Sequence, residues 1–160
     1  MNNSQLKVQI QGLVVSEASG TPYLMLQPET GTSSTLLVEI GPSEASALIL
    51  FQEGVDPLLP LTHDLLVSAL ERGDMKVQNL EFYDYISQTP QCRLHILHDK
   101  RKITPWPIRP SDGLILALRM HFPVYLDTET ARKWAQKDNP LTESLEHMIP
   151  LEEPHHPTLH

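Results

Sequence analysis

The sequence predicts an α+β fold: a mixed or antiparallel sheet with helices packed on it. Three observations lead there. Segments that alternate apolar and polar residues share the chain with segments whose apolar residues recur at helical spacing. The length of 160 residues and an apolar fraction of 40% are enough for one packed core. A short frame then occurs twice: Ile40-Gly41-Pro42-Ser43-Glu44 and Ile108-Arg109-Pro110-Ser111-Asp112. Each copy follows a strand pattern and opens an apolar helix, which adds an expectation of internal duplication of a strand–strand–helix unit.

Leu6, Val8 and Ile10 alternate with Lys7, Gln9 and Gln11, so residues 6–15 read as a half-buried strand. Ala18-Ser19-Gly20 marks a turn, Tyr23 to Leu26 a second strand, Glu29-Thr30-Gly31-Thr32 another turn, and Leu36 to Ile40 a third strand. Ala45, Leu48, Ile49 and Gln52 then fall at helical spacing, and Gly54 ends that helix. Residues 55–61 form a Pro-bounded loop. Thr62 is placed to cap a helix running from His63 to Arg72, with Gly73 as its stop. Val77, Leu80, Phe82, Tyr83 and Tyr85 outline a long strand from Met75 to Ile86, which Thr89-Pro90 breaks. Cys92 to Leu97 follows, with Cys92, Leu94 and Ile96 on one side and Arg93, His95 and Leu97 on the other. After a turn at Asp99-Lys100, a strand through Ile103 and Trp106 contains Pro105 and Pro107, which marks an edge. Ser111 caps a helix to about His121, Pro123 to Leu126 form a short strand, and Thr128 caps a last helix with Ala131 and Trp134. Residues 1–135 make the domain on this reading. Residues 136–160, with Pro140, Pro150, Pro154, Pro157 and His155-His156, make a tail that wraps on the body or stays disordered.

The formal net charge of −8 argues against a protein that coats nucleic acid through general basicity. The charge is uneven: residues 1–92 carry −8, residues 93–120 carry +4, and residues 121–160 carry −4. The basic stretch, including Lys100, Arg101 and Lys102, is either a charge-tipped hairpin or a meeting place for phosphate. One cysteine, Cys92, excludes an intramolecular disulfide framework and a Cys-rich zinc site. The N-terminus lacks a signal-peptide pattern and no apolar run reaches membrane-spanning length, so a cytoplasmic protein without a membrane partner is expected.

Two motifs carry candidate chemistry. Thr62-His63-Asp64 puts a titratable imidazole and a carboxylate at a helix start, suited to proton transfer or to holding a metal. Arg109-Pro110-Ser111-Asp112 combines a fixed cation, a hydroxyl, a carboxylate and free backbone N–H groups, a set able to clamp a phosphate. The alternative reading at each is architectural: a capped helix start at 62–64, and an arginine–acid pair fixing the loop at 109–112. Glu44 lies at the first helix start and joins Asp64 and Asp112 as a candidate metal ligand. His95 and His98 fall on opposite faces of a strand and make a poor metal pair. P-loop, Rossmann, nucleophile-elbow and zinc motifs are absent from the sequence, so no organic cofactor is expected.

At Glu39-Ile40-Gly41-Pro42-Ser43-Glu44-Ala45, Pro60-Leu61-Thr62-His63-Asp64-Leu65, Arg109-Pro110-Ser111-Asp112-Gly113, Ala117-Leu118-Arg119 and Pro123-Val124-Tyr125, the chain resembles the bifunctional nuclease (BFN) domain family. The resemblance spans roughly residues 5–130. It implies an α+β domain of bacterial or plant origin that associates with itself and acts as a nuclease on DNA and RNA. Two positions depart from the family pattern: Leu59 stands where an arginine is usual, and Pro107 where an aspartate is usual.

The leading expectation is a nuclease hydrolysing phosphodiester bonds. Its catalytic residues are His63, Asp64, Arg109 and Asp112. Glu44, Asp64 and Asp112 hold a divalent metal such as Mg²⁺ or Mn²⁺. Arg109, Ser111, Lys100, Arg101 and Lys102 meet the substrate. The rival is a non-catalytic regulatory or anion-binding module of the same fold. A third reading is a small-molecule sensor using an apolar groove between paired helices.

Overall fold

The computed structural model describes residues 5–30, 35–98, 102–136 and 148–151. Three strands come first: β1 (Gln5–Val15), β2 (Pro22–Pro28) and β3 (Leu36–Glu39). Helices α1 (Pro42–Gln52) and α2 (Thr62–Arg72) follow. A second trio, β4 (Lys76–Ile86), β5 (Thr89–His98) and β6 (Lys102–Ile108), leads into α3 (Pro110–Met120). The chain continues through β7 (Val124–Asp127), α4 (Thr128–Ala135) and the short β8 (Ile149–Pro150).

The strands form one mixed sheet in the order β3-β2-β1-β7-β4-β5-β6, with β8 beside β1. All neighbours are antiparallel except β4 and β7, which run parallel. The α+β expectation therefore holds. Each half is a three-strand meander followed by a proline-opened helix, and β7 joins the halves at the centre. The shared Ile-x-Pro-Ser-acid frame marks two similar helix starts; common descent of the halves is not shown.

Alternation along the strands positions the core. Leu80 and Phe82 on β4, Cys92, Leu94 and Ile96 on β5, and Val124 and Leu126 on β7 are buried in one cluster. Leu48 of α1, Leu70 of α2, Leu114 and Leu116 of α3, and Trp134 of α4 join the same cluster, so four helices close over one face. Each fully buried large side chain here contributes about 1.5–3 kcal/mol. Gly113 lets α3 approach β4: a Cβ there would lie 2.7 Å from Leu80 Cδ1.

Several local expectations are corrected. The hairpin between β4 and β5 turns at Ser87-Gln88, both in the left-handed region (φ 49° and 63°), and Thr89-Pro90 is already strand, with Pro90 opposite Tyr85. The hydroxyl residues Ser43, Thr62, Ser111 and Thr128 are not the N-caps. Gly41, Leu61, Arg109 and Asp127 hold those positions. Pro42 and Pro110 explain two of these shifts: proline prefers the first helical position, which moves the cap one residue upstream of it. Only Asp127 caps with its side chain, accepting from the Glu129 and Thr130 N–H groups at 3.0 Å. At the edge, β6 carries Pro105 and Pro107 as expected.

From the expected tail, Ile149–Pro150 adds a strand to β1 and Leu151 packs against the core. The turn at Gly31-Thr32, the hairpin tip Asp99-Lys100-Arg101, and His155-His156 lie outside the described residues. Among the described residues, no helix is long and apolar enough to cross a membrane.

Candidate active site

Three helix N-termini converge on one cluster. Helices α1, α2 and α3 each carry an acid three residues past the cap: Glu44, Asp64 and Asp112. Negative charge in a first turn complements the unpaired N–H groups and the positive end of the helix dipole. The capping argument accounts for the acids by themselves; it does not account for what they touch.

Asp112 is the hub. Its Oδ1 lies 3.1 Å from His63 Nε2 and accepts a hydrogen bond from Arg109 Nη2 at 3.0 Å; its Oδ2 accepts from Arg109 Nε at 2.6 Å. Burial raises the carboxyl's pKa, but the bonds from Arg109 and His63 outweigh it and hold Asp112 below the usual carboxylate range. Arg109 is correspondingly raised by its bonds to Asp112, with a smaller contribution from Glu44, whose Oε1 is 3.6 Å from Arg109 Nη2. Glu44 curls back over its own cap, so a Cβ on Gly41 would meet its carboxylate and push that flexible side chain aside. His63 is only 7% exposed, whereas the Arg109 side chain is 69% exposed. The imidazole is sheltered and the cation faces solvent.

Because Asp112 is ionised, its partner nitrogen on His63 carries the proton. In the neutral form of an imidazole that donates from Nε2, the lone pair is on Nδ1. A histidine oriented in this way can accept a proton, and an exposed arginine beside it can receive an anion.

Asp64 has a different task. Its Oδ2 accepts from the Leu61 N–H at 2.8 Å and its Oδ1 pairs with Arg119 Nη1. The Arg119 side chain, 8% exposed, lies with its guanidinium over the Phe51 ring, 4.6 Å from the centroid. Consecutive α2 residues are thus held by one helix: His63 by Asp112, and Asp64 by Arg119, seven residues along α3. Neighbours on a helix do not face each other, so this double attachment fixes the rotation of the α2 start.

The structure brings together His63, Arg109, Asp112 and Glu44, with Asp64 beside them facing Arg119. Ser111 sits in the first turn of α3 and makes no cap bond. Lys102 opens β6, exposed, while Lys100 and Arg101 lie outside the described residues. Of the expected metal ligands, Asp64 is occupied by Arg119 and Leu61, and Asp112 by His63 and Arg109. Glu44 faces Arg109 across 3.6 Å. Among the described residues no group of three or more His, Cys, Asp or Glu side chains is arranged to hold a metal. As placed, this donor set does not fit a divalent cation, and no step is derived through one.

The two departures noted in the sequence fall in different places. Leu59 is exposed in the loop before α2. Pro107 lies near the end of β6, two residues before the Arg109 cap of α3, and pairs across the strands with Arg93. Sequence reasoning missed Arg119 as the Asp64 partner; its signal was a lone cation near the end of an otherwise apolar helix. It also missed the cluster of Glu81, Arg93 and His95, although an acid between Leu80 and Phe82 was a visible break in an apolar run. A cavity of about 570 Å³ lies between β1 and the C-terminal end of α3, lined by Lys7, Ile10, Glu29, Leu118 and Phe122 among others.

The family model described as the bifunctional nuclease domain matches residues 24–139. Two uncharacterized proteins, from two strains of Mycobacterium tuberculosis, are each 32% identical over 121 residues, covering 76% of this chain and 71% of theirs.

Proposed function

The chain belongs to the bifunctional nuclease domain family, and from that premise we propose that it hydrolyses phosphodiester bonds of DNA and RNA at the His63–Asp112–Arg109 cluster. The observation that carries this reading is a sheltered imidazole bonded to an ionised carboxylate that also grips an exposed arginine. Arg109 receives the phosphate and neutralises its non-bridging oxygens. Asp112 keeps the His63 proton on Nε2, so Nδ1 accepts the proton of the attacking water as its oxygen bonds to phosphorus. The bond from phosphorus to the ester oxygen breaks, and that oxygen takes up a proton from the imidazolium. Ser111, in the same first turn, offers a hydroxyl to the phosphate. Asp64 and Arg119 hold the α2 start in place. A self-associated, cytoplasmic protein acting on nucleic acid is part of the same proposal.

The test is hydrolysis of single- and double-stranded DNA and RNA by the wild type and by His63→Ala, with Mg²⁺, Mn²⁺ or EDTA. Cleavage lost in the variant under every ionic condition is expected. Equal cleavage by both proteins would overturn the assignment.

One observation favours a second reading, a non-catalytic anion-binding module. The acids at the site are paired with arginines, which is also how a purely architectural cluster is built. Salt-sensitive nucleic-acid affinity without turnover would select it.

A further inference from the structure

The sheet face turned away from the helices holds a second cluster of the same residue types. Glu81 alternates with the core residues Leu80 and Phe82, so its side chain leaves on the opposite side. It is nine-tenths buried there all the same. Its Oε1 accepts from Gln5 Nε2 at 2.8 Å, and its Oε2 accepts from Arg93 Nε at 2.7 Å and lies 2.7 Å from His95 Nε2. Burial opposes the charge, but the bonds from Arg93 and His95 prevail and keep Glu81 below its ordinary pKa.

Arg93 is held from a second side. Its guanidinium lies over the Tyr83 ring, 4.6 Å from the centroid. The ladder between β4 and β5 shifts register between Phe82 and Asp84, and this bulge is where Tyr83 sits. With Nε committed to Glu81, Nη1 and Nη2 have no hydrogen-bond partner among the described residues. Across the strands, Arg93 faces Pro107 and His95 faces Pro105, which bring neither an acid nor an N–H to compete.

We propose that Arg93, fixed by Glu81 and Tyr83, is a second oxyanion site that binds a phosphate group through Nη1 and Nη2. The guanidinium fork matches two phosphate oxygens in one plane. Ordering a long arginine side chain on binding normally costs conformational entropy, and here the side chain is already held. Glu81 and His95 act as positioning residues: they hold Arg93 rather than the ligand. The site is separate from the His63 cluster and does not depend on its chemistry.

The experiment uses the full chain carrying Arg109→Ala, which removes the exposed arginine of the other cluster. Inorganic phosphate, and separately a short oligodeoxynucleotide without terminal phosphates, are titrated while the Arg93 Nε–H resonance is followed by NMR. A saturable shift with phosphate is expected. Adding Arg93→Ala should weaken phosphate affinity about tenfold or more, measured by calorimetry, a loss of at least ~1.4 kcal/mol. Arg93→Lys keeps the charge, loses the fork, and serves the same purpose if the alanine variant fails to fold. Response to both probes supports the site and identifies a phosphodiester as sufficient; response to phosphate alone supports it and identifies a free phosphate or monoester. No saturable shift with either probe overturns the proposal, as does affinity unchanged by Arg93→Lys.

Discussion

The molecule carries two clusters of histidine, carboxylate and arginine, and they bury different members. At the helix starts the histidine is sheltered and the arginine lies in solvent; Asp112 takes both Nε and Nη2 of Arg109. On the open sheet face the carboxylate is sheltered, while the Arg93 and His95 side chains are 36% and 25% exposed. In the first arrangement the imidazole is oriented for proton transfer. In the second the arginine is oriented with its fork free. The same three residue types therefore support different chemistry, and the difference lies in which group the backbone hides from water.

The clusters also differ in anchorage, and this is where the largest effect is expected. The helix-start cluster depends on the half-buried Arg119–Asp64 pair; the sheet cluster rests on strands already fixed by backbone hydrogen bonds. Arg119→Ala should destabilise the protein by about 2–3 kcal/mol in urea unfolding, because it leaves Asp64 without its cation and Phe51 without its cover. A loss below about 1 kcal/mol would show that the pair is no anchor.

Function separates the two clusters next. His63→Ala should lower phosphodiester turnover by about 10²-fold or more, as expected for loss of a general base. His95→Ala should leave turnover within about twofold of wild type, since the His95 ring bonds to Glu81 on the sheet face opposite the helices. Comparable losses in both variants would erase the distinction.

Glu81→Gln should cost about 1–2 kcal/mol of stability, since the amide fills the same space but loses the charge that satisfies Arg93 and His95. Circular dichroism during urea unfolding gives the value. No change would mean that the sheet face holds its shape without the ion pairs.

The smallest contrast is in pH dependence, where the clusters should agree. Asp112 and Glu81 both have pKa values lowered on folding. A lowered carboxyl contributes stability that is present above its unfolded pKa of about 4 and is lost as pH falls through its folded value. The urea midpoint should decline as pH drops below about 4, and Asp112→Asn with Glu81→Gln should flatten that decline. An undiminished slope in the double variant would place the acid sensitivity elsewhere. Cys92 takes no part at neutral pH: burial, and secondarily the Asp112 charge, push its thiol up to about 12, so it should stay unreactive to thiol reagents while the protein is folded.

Much of this was legible in the residues, for identifiable reasons. Alternation in β1 and β5 and helical spacing in α1 and α3 are local, and local patterns survive into the fold. His63, Arg109 and Asp112 were readable as chemistry because they sit in compact motifs at helix starts. Asp64 is legible in the same motif beside His63, but its ion pair is not. Its partner Arg119 is 55 positions away in the chain. The caps were displaced because Pro42 and Pro110 take the first helical position, which short-range propensity for serine does not reveal.

The sequence by itself determined the fold class, the helix starts and the residue types available at each, since these follow from periodicity and from the backbone needs of single segments. Tertiary structure alone decided that α1, α2 and α3 begin at one place, and that Asp112 meets His63 while Asp64 meets Arg119. It also decided that Glu81 is buried on the face opposite the core. Those outcomes depend on strand order and helix rotation, which bring together residues tens of positions apart. No spacing within a single segment encodes a distance between two.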